Sequence, residues 1–175
     1  MRIFSTISSV SLVAICIIGI SAKQSTYPHV IPGPGLPSLK SLQLTSADLY
    51  NRQLITNSSI EKRDEGYDKN CFAFTTADVQ STVACFDYLT RLGHVDCTVP
   101  VDNNVFCTAG DAVIGGSKLD QTTGVTSASC WWVALAVQWI FQNCNADGRV
   151  GGTAIPINSD QNLIVGVYNT DWVST

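Results

Sequence analysis

Apolar side chains after residue 70 recur with two periods, near 3.6 and 2, and these periods place the elements. Residues 71–74 read as a short strand. Thr75-Thr76-Ala77-Asp78 then offers a helix cap, with hydroxyls near the start and an acid in the first turn. A helix is predicted from there to about Leu92, stopped by Gly93. Asp78, Thr82, Cys85, Leu89 and Leu92 share one stripe, widened by Val79, Val83 and Phe86, which turns Cys85 inward or to the stripe's edge. Residues 101–108 and 112–114 read as two strands around a turn at Gly110-Asp111, with Gly115-Gly116 ending the second. After a polar loop over 117–126, Ser127 can cap a second helix over about 128–143. Its stripe is Cys130, Val133, Ala134, Val137, Phe141 and Cys144. Trp131, Trp132, Leu135 and Trp139 lie off that stripe, so the helix is apolar nearly all round, which predicts burial on several sides. Asp147-Gly148 turns the chain into residues 150–157, and 162–168 alternate as a last strand. The order strand–helix–strand–strand–helix–strand predicts an α+β fold: a split β-α-β sandwich with two helices on one face of an antiparallel sheet.

The first 22 residues follow neither period. Met1-Arg2 is a short positive start, an apolar run covers about 10–20, and Ser21-Ala22 supplies small residues for cleavage. This is the pattern of a secretory signal peptide. An uncleaved anchor competes with it, but Ser5, Ser8, Ser9 and Ser11 dilute the run. No second long apolar run follows, so stable membrane insertion is not expected. Residues 23–63 carry no cysteine and hold four of the six prolines. Pro and Gly alternate over 29–37, which denies helix and central strand alike, and 38–56 has some helical tendency but few large apolar anchors. The stretch reads as a spacer. Asn57-Ser58-Ser59 is an N-glycosylation acceptor, which implies exposure. Lys62-Arg63 resembles the cleavage site of kexin-type proteases, whose acidic subsites read two adjacent cations together. The expected organisation is a signal peptide over 1–22, a pro-segment over 23–63 and a mature cysteine-rich domain over 64–175.

Composition sharpens this picture. Of seven cysteines, Cys16 falls in the signal, leaving Cys71, Cys85, Cys97, Cys107, Cys130 and Cys144. An even number in a short secreted domain implies three disulfides, with fifteen pairings open. No Cys-x-x-Cys spacing accompanies the lone histidine of this part, His94, so no metal is expected. The whole-chain charge of −4 hides a split, because residues 64–175 hold twelve Asp and Glu against four Lys and Arg, a balance of −8. Nucleic acid and anionic lipid are therefore not expected as partners, since phosphate neutralisation needs a basic surface. The acid excess could steer a basic protein partner, or simply maintain solubility. His94 and Glu65 are the only residues of their types there, which leaves acid–base catalysis few candidates and ranks a secreted hydrolase last. His94 reads as a cation at a helix C-terminus. Gly115-Gly116-Ser117-Lys118 lacks phosphate-loop spacing and reads as a turn. No catalytic residue and no cofactor is expected. Trp131 and Trp132 are the interface candidates, because one helix face cannot bury two adjacent indoles; Trp172 near the C-terminus shares the ambiguity.

The layout as a whole, from signal peptide through Lys-Arg site to six-cysteine acidic domain, resembles that of small secreted fungal effectors. The mature part resembles the α/β-sandwich proteins related to smut-fungus killer toxins and to necrosis-inducing fungal effectors. The carriers are Ala84-Cys85-Phe86-Asp87-Tyr88-Leu89, Phe106-Cys107 with Gly110, Ser129-Cys130 with Val133-Ala134 and Cys144, and Val150-Gly151-Gly152. The resemblance covers about residues 71–169 and rests on cysteine placement and element order, so it carries over no bridge pattern. It implies a stable secreted protein that acts by binding a host protein. A toxin acting on a channel or membrane protein of competing fungi is the alternative, and an oligomer or hetero-pair is open.

Overall fold

A computed structural model describes residues 27–51, 69–122, 124–159 and 161–173. The chain enters through a strand, β1 (Val30–Pro32), and a one-turn helix, α1 (Ser46–Tyr50). Thr45 starts α1 with a capping box: the Thr45 hydroxyl accepts from the Asp48 amide at 3.3 Å, and the Asp48 carboxylate accepts from the Thr45 amide at 2.7 Å. Next come β2 (Lys69–Cys71), β3 (Ala77–Asp78) and the long helix α2 (Val79–Leu92). Asp78 itself caps α2, its carboxylate accepting from the Ser81 amide at 2.7 Å, so the cap is the acid and not a Thr75 or Thr76 hydroxyl. Gly93 ends α2 at φ 58°, a conformation that costs glycine nothing. Then follow β4 (Asp96–Val99), β5 (Asn103–Ala109), β6 (Ala112–Lys118), β7 (Thr126–Ser129) and the second long helix, α3 (Cys130–Asn143). The chain closes with β8 (Asn145–Ala146), β9 (Arg149–Val150), β10 (Gly152–Ala154), β11 (Leu163–Asn169) and α4 (Thr170–Val173). Asp147 and Gly148 both have positive φ, 52° and 80°, and make the tight turn between β8 and β9.

Six strands form one antiparallel sheet in the order β1-β5-β6-β11-β10-β2. β3, β9 and β8 make a small second sheet, and β4 and β7 a two-stranded ribbon. α2 lies on β5 and β6, α3 lies on β10 and β11, and the helices pack against each other. Phe86 meets Phe141 edge to face, 5.3 Å between ring centres. The buried set between helices and sheet includes Tyr88, Leu89, Phe106, Ile114, Val137, Ile140 and Val165. The fold is thus α+β and disulfide-stabilised, with its two long helices packed on an antiparallel sheet. The structure adds the strand order, in which β2 stands at the edge beside β10.

Three local readings are corrected. β6 does not end at Gly115-Gly116 but runs through them to Lys118, paired to β11 as far as Leu163. Gly116 is required by packing, since a Cβ there would stand 2.6 Å from the Phe106 ring; Gly115-Gly116-Ser117-Lys118 is strand and not turn. The second helix starts at Cys130, and residues 126–129 form β7 against β4. β7 is Thr-Ser-Ala-Ser, which carries little hydrophobic alternation. Finally, residues 27–51 are no spacer. β1 extends the sheet, as Pro32 permits at an edge. Leu49 is fully buried, Val30 nearly so, and Leu36, Leu39, Leu42, Leu44 and Tyr50 pack on the same core.

Candidate functional site

The six predicted cysteines form three disulfides: Cys71–Cys144, Cys85–Cys107 and Cys97–Cys130. The second ties α2 to β5 beneath the helix, where both residues are fully buried, which accounts for the inward position of Cys85. The first ties β2 to the end of α3 and is the accessible one, with Cys71 exposed and Cys144 half-buried. Lys62, Arg63 and Asn57 lie outside the described residues, as do the two ends of the expected pro-segment.

The third disulfide builds the surface that carries the tryptophans. Ser129 makes no side-chain cap on α3, and its hydroxyl is buried without a partner. The first amides of the helix are satisfied instead by the loop that leaves α2: Cys130 donates to the Val95 carbonyl at 2.8 Å and Trp131 to the Gly93 carbonyl at 2.9 Å. With Cys97–Cys130 alongside, the start of α3 is clamped to that loop and to β4. Trp131 stands 40% exposed and Val95 39% exposed on the clamped corner. Trp132 is half-buried, so the neighbouring indoles part as their adjacency requires. Leu135 and Trp139 are also half-buried, and the Lys69 ammonium sits 5.2 Å from the centre of the Trp139 ring. α3 is therefore covered over most of its circumference and open at its N-terminal corner. Exposed His94 and Asp96 flank that corner. Val99 pairs with Thr126, so exposed Val101 and Val125 follow the opposite end of the same ribbon. Trp172 lies in α4, where its side chain is outside the described residues.

Charged groups mostly build the frame. Arg149 pairs with the Asp111 carboxylate at 2.6 Å and also donates to the Thr76 carbonyl, while the other Asp111 oxygen accepts from the Asp78 amide at 2.8 Å. One carboxylate thus joins the β5–β6 turn, the start of α2 and β9. Its two partners are far apart in sequence, and only the scarcity of cations hints at Arg149. Arg91 pairs at 3.0 Å with Asp87, a carboxylate fully buried on α2. This pair floors a shallow polar hollow between α1 and α2, lined by Asp48, Asn51, Asp87, Thr90 and Arg91. The Thr45 hydroxyl and amide hold the Asp48 carboxyl below the usual carboxylate range. Thr122 does the same for Asp120 in the loop after β6. Among the described residues, no group of three or more His, Cys, Asp or Glu is placed to hold a metal ion. Among them no helix is long and apolar enough to cross a membrane.

Residues 65–169 match a family model described as a domain of unknown function, DUF8794. The chain belongs to this family. The matched stretch begins after the Lys62-Arg63 pair and ends with β11, so the DUF8794 unit holds all three disulfides and the Trp131 corner, and leaves out β1 and α1. No curated protein and no solved structure matches the chain.

Proposed function

We propose that this protein is secreted, cut after Arg63, and acts by binding a target protein of a host through the corner that carries Trp131. The observation that carries the reading is an indole held in the open by a disulfide-clamped helix start, with Val95 beside it. Tryptophan so fixed gives a large contact area at little cost in conformational freedom. Three disulfides suit an oxidising compartment. The cations of the mature part that the structure describes are engaged within the fold or buried: Arg149 with Asp111, Arg91 with Asp87, Lys69 over Trp139, and Lys118 beneath the surface. Asp96, Asp102, Asp120, Asp147 and Asp171 are exposed, so the field the molecule presents is acidic and suits a basic partner.

N-terminal sequencing of the secreted protein tests the processing step: it is expected to start at Asp64, and a start at Lys23 would refute the cut. The secreted protein is then applied to plant leaves and to fungal cultures. Cell death or an immune response in leaves, reduced at least tenfold by Trp131→Ala without change in the unfolding transition, supports the binding role. A response in fungal cultures alone transfers the target to a competitor.

A further inference from the structure

Residues 27–51 occupy the domain in the manner of a bound peptide. β1 lies on the outer edge of β5, with Val30 opposite Ala109, Ile31 opposite Thr108 and Pro32 opposite Cys107. Gly33 continues the contact, its amide donating to the Phe106 carbonyl at 2.8 Å. The backbones meet so closely there that a Cβ on Gly33 would fall 1.9 Å from the Val105 carbonyl oxygen. Further on, the Tyr88 hydroxyl donates to the Pro37 carbonyl at 2.7 Å, Leu49 is fully buried in the core, and the Tyr50 hydroxyl donates to Ser81 at 3.3 Å. The segment also braces itself: the Val30 amide donates to the Ser46 hydroxyl at 2.9 Å, and Tyr27 stacks on Tyr50.

Nothing covalent holds this occupant except the chain that leads on to Arg63. Residues 23–63 contain no cysteine, and all three disulfides lie between Cys71 and Cys144. The DUF8794 match also starts at residue 65, so the family's common unit does not include the segment. A domain without it would present an unpaired edge on β5 next to apolar surface, the template that extended peptides use when they add a strand to a sheet.

We propose that the β5 edge and the adjoining face of α2 form a docking groove for a segment of a partner protein that adds a short strand to β5 and then turns to set an aliphatic anchor against the core beside α2. Residues 27–51 are its built-in occupant, exchangeable once the chain is cut. This rests on the processing reading above. The fitting partner carries an aliphatic residue at the place of Val30, glycine at the place of Gly33 and a bulky aliphatic anchor for the Leu49 pocket. While the chain is whole, the tether holds the occupant at an effective concentration of about millimolar, which excludes competitors.

The test starts from the full chain with Lys62-Arg63 replaced by the site of a sequence-specific protease, so that failure of exchange is read separately from failure of natural processing. The probe is a fluorescent synthetic peptide of residues 27–51. The cut protein is expected to take it up at least tenfold more tightly than the uncut protein. Peptides carrying Gly33→Val or Leu49→Asp are expected to bind at least tenfold more weakly. A peptide that keeps Val30, Gly33 and Leu49 and scrambles the rest is expected to compete within tenfold of the original. Three results would overturn the proposal: a cut protein that retains its own segment and takes up no probe over a day in excess peptide; loss of the folded circular dichroism spectrum when the segment leaves; and failure of the scrambled peptide to compete, which would make recognition a property of the whole segment.

Discussion

Gly116 shows how a single side-chain-free position can serve packing. It sits mid-strand, with two atoms of the Phe106 ring within 2.7 Å of where a Cβ would stand and Leu163 Cδ1 at 2.9 Å. Phe106 and Leu163 are themselves fully buried and cannot withdraw. Gly116→Ala is therefore expected to destabilise the protein by about 1–3 kcal/mol in chemical denaturation, the usual cost of overpacking a core. In the sequence a Gly-Gly pair signals a turn; which ring the strand must pass is a tertiary fact that no local pattern carries. Tyr88 is a second case. It lies off the inward stripe that the spacing of α2 marks out, yet it is fully buried, with its hydroxyl donating to the Pro37 carbonyl far away in sequence. Burial pushes the Tyr88 hydroxyl up to about 12 from 10.0. The folded state thus keeps a proton that the unfolded chain loses first. Tyr88 accordingly contributes stability that is complete below pH 10 and is lost as pH rises toward 12, by about 2–3 kcal/mol. Tyrosine absorbance titration checks this: Tyr88→Phe is expected to remove the highest-pH ionisation and to flatten the fall in stability above pH 10.

At the scale of elements, legibility followed the length and regularity of the hydrophobic period. α2 and α3 each span 14 residues with several buried turns, and both were readable within a few residues of their ends. β4 and β7 were not, because each is only four residues long and β7, Thr-Ser-Ala-Ser, has no large apolar side chain to mark its buried face. The Trp131 corner was half legible: adjacency required the two indoles to part and left open whether a loop covered the second, while Val95 and the amide bonds to the Gly93–Val95 loop were not foreseeable. The disulfide Cys97–Cys130 closes a separation of 33 residues and typically would contribute about 3–4 kcal/mol. Replacing both cysteines by alanine should lower the unfolding free energy by that amount in chemical denaturation followed by circular dichroism. The three bridges should also differ in reactivity, since attack on a disulfide needs access. Under mild dithiothreitol, Cys71 and Cys144 are expected to be alkylated first, as read by mass spectrometry. Cys85, Cys97, Cys107 and Cys130, all fully buried, should follow only on unfolding.

For the whole molecule, cysteine count, acidity and the α+β class were available before any geometry. The participation of residues 27–51 in the core was not. Its leucines are spaced without a helical or strand period, and β1 has only Val30 and Ile31 before Pro and Gly alternate over 32–35. A segment that folds on a neighbour's surface owes its shape to that surface, so its own pattern is silent. The acidic field predicts how association responds to salt. With the described cations engaged or buried, binding to a basic partner should slow at least several-fold between 50 mM and 300 mM salt, mainly through the on-rate in stopped-flow measurements.

The bridge from Cys71 to Cys144 also guards one end of the domain against exopeptidases. It anchors the first strand of the 64–175 domain to the end of α3, only seven residues beyond the chain end that a cut after Arg63 would create. An aminopeptidase entering at that new end would meet a cross-linked residue of β2 almost at once. Ragged trimming of the leading residues is the most such an enzyme should achieve, and the Trp131 corner, far along the chain, would outlast it.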